Sequence, residues 1–127
     1  MTAEALATRL LNGERLPEHE VSEAERYLLQ QPPGVGKDNY YYWYYATLAL
    51  HQLQDDAWRQ WNGSLKRRLL ATQQSDGSWS SDTMWGGYGG TVYTTSMATL
   101  CLETYYRHAI REDSGRIARQ PDPKSGR

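Results

Sequence analysis

The chain of 127 residues lacks most of the features that would assign it to a functional class. Its one cysteine, Cys101, excludes an internal disulfide framework and fits a reducing compartment. Lysine and arginine number 14 against 15 acidic residues, a balance that does not favour binding to nucleic acid or to an anionic membrane surface. No apolar run is long enough to span a bilayer, and residues 1–12 lack the pattern of a signal peptide. We therefore expect a cytoplasmic protein without a transmembrane segment.

Phenylalanine is also absent, whereas the chain contains ten tyrosines and five tryptophans. These two residue types combine a large apolar ring with a polar group that forms hydrogen bonds. Such side chains suit a surface that is partly apolar and partly in contact with water. The composition therefore indicates that aromatic surfaces carry much of the packing, and possible binding, in this protein.

Five segments have the apolar periodicity or the terminal residues of helices, and the expected fold is all-α. Thr2 is expected to cap the first helix and Asp56 the fourth, while Pro17 is suited to the start of the second. The predicted helices are residues 2–12, 17–31, 38–53, 56–72 and 91–108. The predicted organisation is a short N-terminal helix with a linker at 1–16, a repeat domain at 17–110 and a disordered tail at 111–127.

The most specific motif is QQSDGSW, in which a tryptophan follows a glycine turn just after the fourth predicted helix. With the preceding KRRLLAT, it resembles the QW motif of the terpenoid cyclase and protein prenyltransferase superfamily. The residues that carry the resemblance are Gln73, Gly77 and Trp79. The continuation WGGY from Trp85, and the upstream segment YYWYYATLALHQ, are similar to prenyltransferase and squalene oxidase repeat proteins of bacteria.

The resemblance implies helical hairpin repeats that form part of an α/α toroid. It also implies a structural role for the motif, in which Gln73 and Trp79 fasten an outer helix to the next inner one. The chain supplies fewer hairpins than a closed toroid needs, and repeats bury their faces mainly against their neighbours. We therefore expect open flanks that lead to self-association or to binding of another, toroid-completing protein.

The chain does not carry the catalytic motifs of the superfamily that it resembles. Gln54-Asp55-Asp56 lacks the first aspartate of the Asp-x-Asp-Asp acid motif, and helix capping explains this pair of aspartates. Thr99 stands two residues before Cys101, where the zinc site of protein prenyltransferases has an aspartate. The Cys-Gly-Glu-Gln string of thioester domains is absent. The sequence thus predicts neither catalytic residues nor a cofactor.

Two further sets of side chains have metal-ligating or nucleophilic groups, but neither predicts a site. His51 and Asp55 are four residues apart and form either half of a metal site or a local polar contact near a helix end. Cys101 and His108 are separated by two helical turns, which is too far for a direct thiolate and imidazole pair. We therefore expect no metal site and interpret Cys101 as a small buried apolar residue.

The run of aromatic residues from Tyr40 to Tyr45 covers more than one helical turn. Packing between helices is one role for these rings, and lining a cavity is the other. The residues expected to line a cavity are Tyr41, Tyr42, Tyr45, Trp85 and Tyr93. The cavity would bind an apolar ligand such as an isoprenoid, a peptide segment or a sugar, since aromatic faces supply contact area and hydroxyl groups orient the ligand.

The leading functional hypothesis is a non-catalytic binding or scaffolding module, which acts through open repeat flanks or through the aromatic cavity. The alternative is a small subunit or fragment of a terpenoid cyclase or prenyltransferase-like enzyme, with catalytic residues on another chain. A third possibility is a remnant that folds without a further activity.

Overall fold

The computed structural model describes residues 1–107 and 119–122, and within them the prediction of a mostly helical fold is confirmed. The tail predicted at 111–127 lies outside the described residues except for 119–122, and so does His108. The elements are α1 (Thr2–Leu11), β1 (Leu16–Pro17), α2 (Glu18–Leu28), α3 (Tyr40–Leu53), α4 (Asp56–Thr72), α5 (Gly86–Arg107) and β2 (Arg119–Gln120).

Helix α3 lies at the centre of the fold, and α1, α4 and α5 pack against it. Its sequence is apolar or aromatic on nearly all sides, which is typical of a helix that is buried all round. The buried Trp61 of α4 donates a hydrogen bond from Nε1 to Thr47 Oγ1 of α3 at 2.9 Å. Ala3, Leu6, Ala7 and Leu10 of α1 belong to the same hydrophobic core. The short N-terminal helix predicted within residues 1–16 thus contributes directly to the core around α3.

The helix starts differ from the predicted caps by one residue in two places. Met1, and not Thr2, precedes the first turn of α1, and no side chain caps it. Asp55, and not Asp56, caps α4, since its Oδ1 accepts a hydrogen bond from Trp58 N at 3.1 Å. Asn39 caps α3 in the same way, with Oδ1 accepting from Tyr42 N at 3.1 Å.

Helix α5 begins with a short helical piece and then bends at Gly90, which has φ 65° and ψ −167°. This backbone conformation is accessible essentially only to glycine. The predicted helix from residue 91 therefore corresponds to the part of α5 beyond the bend. The bend separates the glycine-rich first turn from the part of α5 that packs on the core.

The two short strands pair in parallel, with Leu16 opposite Arg119 and Pro17 opposite Gln120. The described residues 119–122 of the predicted tail are thus attached to the start of α2. No helix among the described residues combines the length and the apolar character needed to cross a membrane.

Candidate binding cavity

A cavity of about 870 Å³ opens between the first residues of α1, the end of α2, the start of α3 and the loop before α5. Its volume lies in the usual range for small-molecule sites. Four of the five predicted cavity residues line it: Tyr41, Tyr42, Trp85 and Tyr93. The remaining lining residues are Met1, Thr2, Ala3, Glu4, Tyr27, Gln30, Gln31, Val35, Gly36, Lys37, Asn39, Trp43 and Met84.

Tyr42 forms a rigid part of the cavity wall. Its hydroxyl donates a hydrogen bond to the Leu28 carbonyl oxygen at 3.1 Å, which ties α3 to the end of α2. Its ring meets the Trp61 ring edge-on, with centroids 5.7 Å apart. Burial raises the pKa of Tyr42 to about 12, so the side chain stays neutral at physiological pH. Because this hydroxyl is already bonded to the protein, Tyr42 offers a ligand mainly its ring.

Tyr45 does not line the cavity, which departs from the prediction. Its ring instead packs edge-on against Tyr41, with centroids 4.9 Å apart, and also against Tyr44. The step of four residues places Tyr41 and Tyr45 on the same face of α3, one turn apart. Tyr45 therefore supports the ring of Tyr41 from the neighbouring turn.

Tyr93 has the polar group that is best suited to a ligand. Its hydroxyl oxygen is shielded from solvent and has no hydrogen-bond partner among the described residues. Burial also raises its pKa. A Cβ atom at residue 89 would lie 2.4 Å from Tyr93 Cβ, so the glycine there makes room for this side chain. Gly89 thus allows the close approach of the Tyr93 side chain, whose hydroxyl has no partner among the described residues.

Trp85 lies at the mouth of the cavity with 55 % of its surface exposed. Its backbone has φ 67°, in the left-handed region that few large residues adopt. Gly86 follows it in a tight turn, where a Cβ atom would lie 2.2 Å from the Ser81 carbonyl oxygen. A large apolar ring is therefore held in solvent by a backbone conformation that is costly for its residue type.

Asp38, to which no sequence motif points, positions the loop that carries Trp85. Its carbonyl oxygen accepts a hydrogen bond from Met84 N at 2.8 Å. Both oxygens of its buried carboxylate accept the single N–H of Arg68 Nε of α4 in a bifurcated hydrogen bond, at 3.0 and 3.1 Å. No local pattern indicates this link, because Asp38 and Arg68 are 30 residues apart in the sequence.

The predicted motif residues Gln73, Gly77 and Trp79 lie at the junction of α4 and α5 and do not line the cavity. The Trp79 side chain is buried, and its Nε1 donates to the Leu69 carbonyl oxygen near the end of α4 at 2.9 Å. The Trp79 carbonyl oxygen accepts from Thr94 Oγ1 of α5 at 2.8 Å. Gln73 is exposed and donates from Nε2 to the Gly77 carbonyl oxygen at 3.0 Å, within the loop itself. The junction therefore depends on Trp79, while Gln73 braces the turn.

The groups considered for metal or nucleophilic chemistry lie elsewhere. Within residues 1–107 and 119–122, no three His, Cys, Asp or Glu side chains are grouped so that they could hold a metal ion. His51 is buried, with its ring edge-on to Trp58. Cys101 is buried too, and burial raises the pKa of its thiol, which disfavours the reactive thiolate.

Comparisons of this chain with protein-family models, with curated proteins and with solved structures found no significant match. The resemblance to the terpenoid cyclase superfamily therefore stays a prediction from the motif residues.

Proposed function

We propose that this chain is a non-catalytic binding module, a partial α/α toroid, that binds a small and largely apolar ligand in its aromatic cavity. The observation that carries the proposal is the meeting of Tyr41, Tyr42, Trp85 and Tyr93 around one cavity of about 870 Å³. These residues come from three separate parts of the sequence. Exposed aromatic surface in a concave site favours apolar ligands, since binding removes that surface from water.

The polar groups around the cavity define the ligand further. Tyr93 offers a shielded hydroxyl without a protein partner, which suits a ligand with one hydrogen-bonding group. The charged side chains that line the cavity are Glu4 and Lys37, and Lys37 Nζ lies 3.6 Å from Asp82. An uncharged polar end, such as a hydroxyl, therefore fits better than a phosphate or a carboxylate.

A competition experiment tests this proposal. Nile red, an uncharged dye, is the fluorescent probe for the apolar cavity, and farnesol, an isoprenoid alcohol, is the competitor. We expect Trp85→Ala to weaken farnesol binding about tenfold, because truncating an interface tryptophan commonly costs more than 1 kcal/mol. Tyr93→Phe keeps the ring and removes the hydroxyl, and we expect a loss of about fivefold from the missing hydrogen bond.

Tyr106→Ala is the matched control for Trp85→Ala. Tyr106 is an aromatic residue near the other end of α5, is 84 % exposed and does not line the cavity. Its truncation should leave farnesol binding unchanged. Equal affinities for wild type, Trp85→Ala and Tyr93→Phe, or no displacement of the probe, would contradict the proposal.

A further inference from the structure

The segment 119–122, Arg-Gln-Pro-Asp, is attached to the start of α2 at both of its ends. Arg119 and Gln120 pair in parallel with Leu16 and Pro17. At the other end, the Asp122 carboxylate accepts a hydrogen bond from His19 N at 3.3 Å and lies 2.5 Å from His19 Nδ1. A carboxylate is favourable there, because the N-terminus of a helix carries partial positive charge. These contacts thus recognise an arginine and, three residues further along the segment, a carboxylate.

The arginine of this segment enters a group of three carboxylates that we call the acidic socket: Glu18, Glu25 and Asp55. Arg119 Nε lies 3.4 Å from Glu18, and Nη2 donates to Glu25 at 3.0 Å and to Asp55. The Glu25 and Asp55 side chains are only 15 % and 23 % exposed. Partly buried carboxylates are unfavourable without a partner, and a guanidinium matches several of them at once.

The protonation states of Glu25 and Asp55 suit the binding of a single cation in the socket. Burial, and then the hydrogen bond with Asp55, raise the pKa of Glu25 to about 8. Although burial acts in the opposite direction, hydrogen bonds from Glu25, Trp58 N and Arg119 hold the pKa of Asp55 below its ordinary value. At neutral pH, Glu25 therefore keeps its proton and shares it with Asp55 in a hydrogen bond, so that the partly buried charge of Asp55 faces the arginine.

We propose that the acidic socket and residues 16–19 form a docking site for an extended peptide segment of another protein, with the chain's own residues 119–122 as a displaceable occupant. The partner has an arginine and, three residues later, a carboxylate. This proposal is independent of the aromatic cavity.

Residues 119–122 are suited to displacement because the strand pairing that holds them is short. The ladder comprises two residues on each strand, and isolated two-stranded pairings are at best marginally stable. The contact at the other end, between His19 and Asp122, lies between two exposed side chains. The tethered segment competes through its high effective concentration, so a free segment binds well only when the tethered one is weakened.

The test uses the full chain and a fluorescein-labelled peptide, Gly-Gly-Arg-Gln-Pro-Asp-Gly-Gly, with fluorescence anisotropy as the readout. We expect Arg119→Ala to bind the peptide at least tenfold more tightly than wild type, because the socket is emptied. Asp122→Asn loosens the other, exposed end of the occupant and should give intermediate binding. This second variant keeps the test valid if loss of Arg119 impairs folding.

Three controls define the specificity. Arg59→Ala removes an exposed arginine outside the socket and should bind as weakly as wild type. A peptide with alanine in place of its arginine should not bind to the Arg119→Ala chain. Adding Asp55→Asn to that chain should abolish binding of the original peptide, while the asparagine still caps α4.

Two results would overturn the proposal. One is that neither Arg119→Ala nor Asp122→Asn binds the peptide better than Arg59→Ala, in which case the segment only closes the fold of its own chain. The other is equal binding of the peptide that lacks arginine.

Discussion

Trp79 illustrates how one side chain joins two helices in this protein. It is only 3 % exposed, and its indole Nε1–H satisfies the Leu69 carbonyl at the end of α4. Its backbone N–H donates to Thr95 Oγ1 at 3.2 Å, and its carbonyl accepts from Thr94. The ring therefore packs at the end of one helix while its backbone is bonded to the next.

We expect Trp79→Ala to reduce the free energy of unfolding by about 3 kcal/mol or more, since a large buried ring is lost and a cavity remains. Trp79→Phe keeps most of the ring and removes the indole donor, while the Leu69 carbonyl still accepts from Gln73 N, and should cost about 1 kcal/mol. Urea unfolding followed by circular dichroism measures both values. A loss below about 1 kcal/mol for Trp79→Ala would contradict the role of Trp79 as a buried fastener.

At the scale of elements, the glycine-rich start of α5 shapes the mouth of the cavity. Gly86 allows the tight turn after Trp85, and the glycine at residue 89 leaves space for Tyr93. Gly90 provides the bend between the first turn of α5 and the rest of the helix. Each of these glycines has its own local reason, so they do not form a flexible segment simply by composition.

Gly90→Ala should destabilise the protein by about 1–3 kcal/mol, because φ 65° with ψ −167° is strained for any residue with a Cβ atom. A Cβ atom there would meet nothing within 4 Å, so the effect would come from the backbone and not from a clash. Gly87→Ala is the matched control, since that glycine has equally open surroundings without a positive φ. Thermal melts of the two variants compare them, and equal melting temperatures would contradict the bend at Gly90.

At the scale of the whole molecule, the acidic socket connects parts of the chain that are far apart in the sequence. Arg119 contacts carboxylates of α2 and of the residue that caps α4. Stability should therefore depend on the protonation of this group. The predicted self-association through open repeat flanks stays a prediction, as does the alternative of an enzyme subunit.

We expect the free energy of unfolding to decrease as the pH rises from about 5 to about 8. The pKa of Glu25 is about 8 in the folded protein against an ordinary value of 4.5, so the folded state binds more protons in this interval. His19, whose pKa is raised by Asp122, acts in the same direction, whereas the lowered pKa of Asp55 affects stability only at lower pH.

Glu25→Gln isolates the contribution of Glu25, because His19 and Asp55 remain. This variant should lose less stability between pH 5 and pH 8 than wild type does, as measured by urea midpoints at several pH values. Parallel curves for the two proteins would show that Glu25 titrates normally.

Sequence patterns predicted the helices well where the signal is local. The apolar residues Trp58, Trp61, Leu65 and Leu69 recur at three and four positions, and all are buried on α4. Capping was less predictable, since adjacent Asp55 and Asp56 are chemically equivalent and only the path of the loop selects one. Tyr41 and Tyr42 were predicted to line the cavity because aromatic residues cluster between Tyr40 and Tyr45, but the contribution of α1 to the cavity was not predicted.

The sequence by itself determined the helical character of the chain, the buried faces of its helices and the glycine turn before Trp79, because these follow from local periodicity and backbone preferences. The tertiary structure decided which distant groups meet. Only the packing of the helices against one another forms the cavity, joins Asp38 to Arg68 of α4 and places Arg119 in the acidic socket. Charge and ring contacts between remote residues depend on how whole helices pack, and no short pattern in the sequence encodes that.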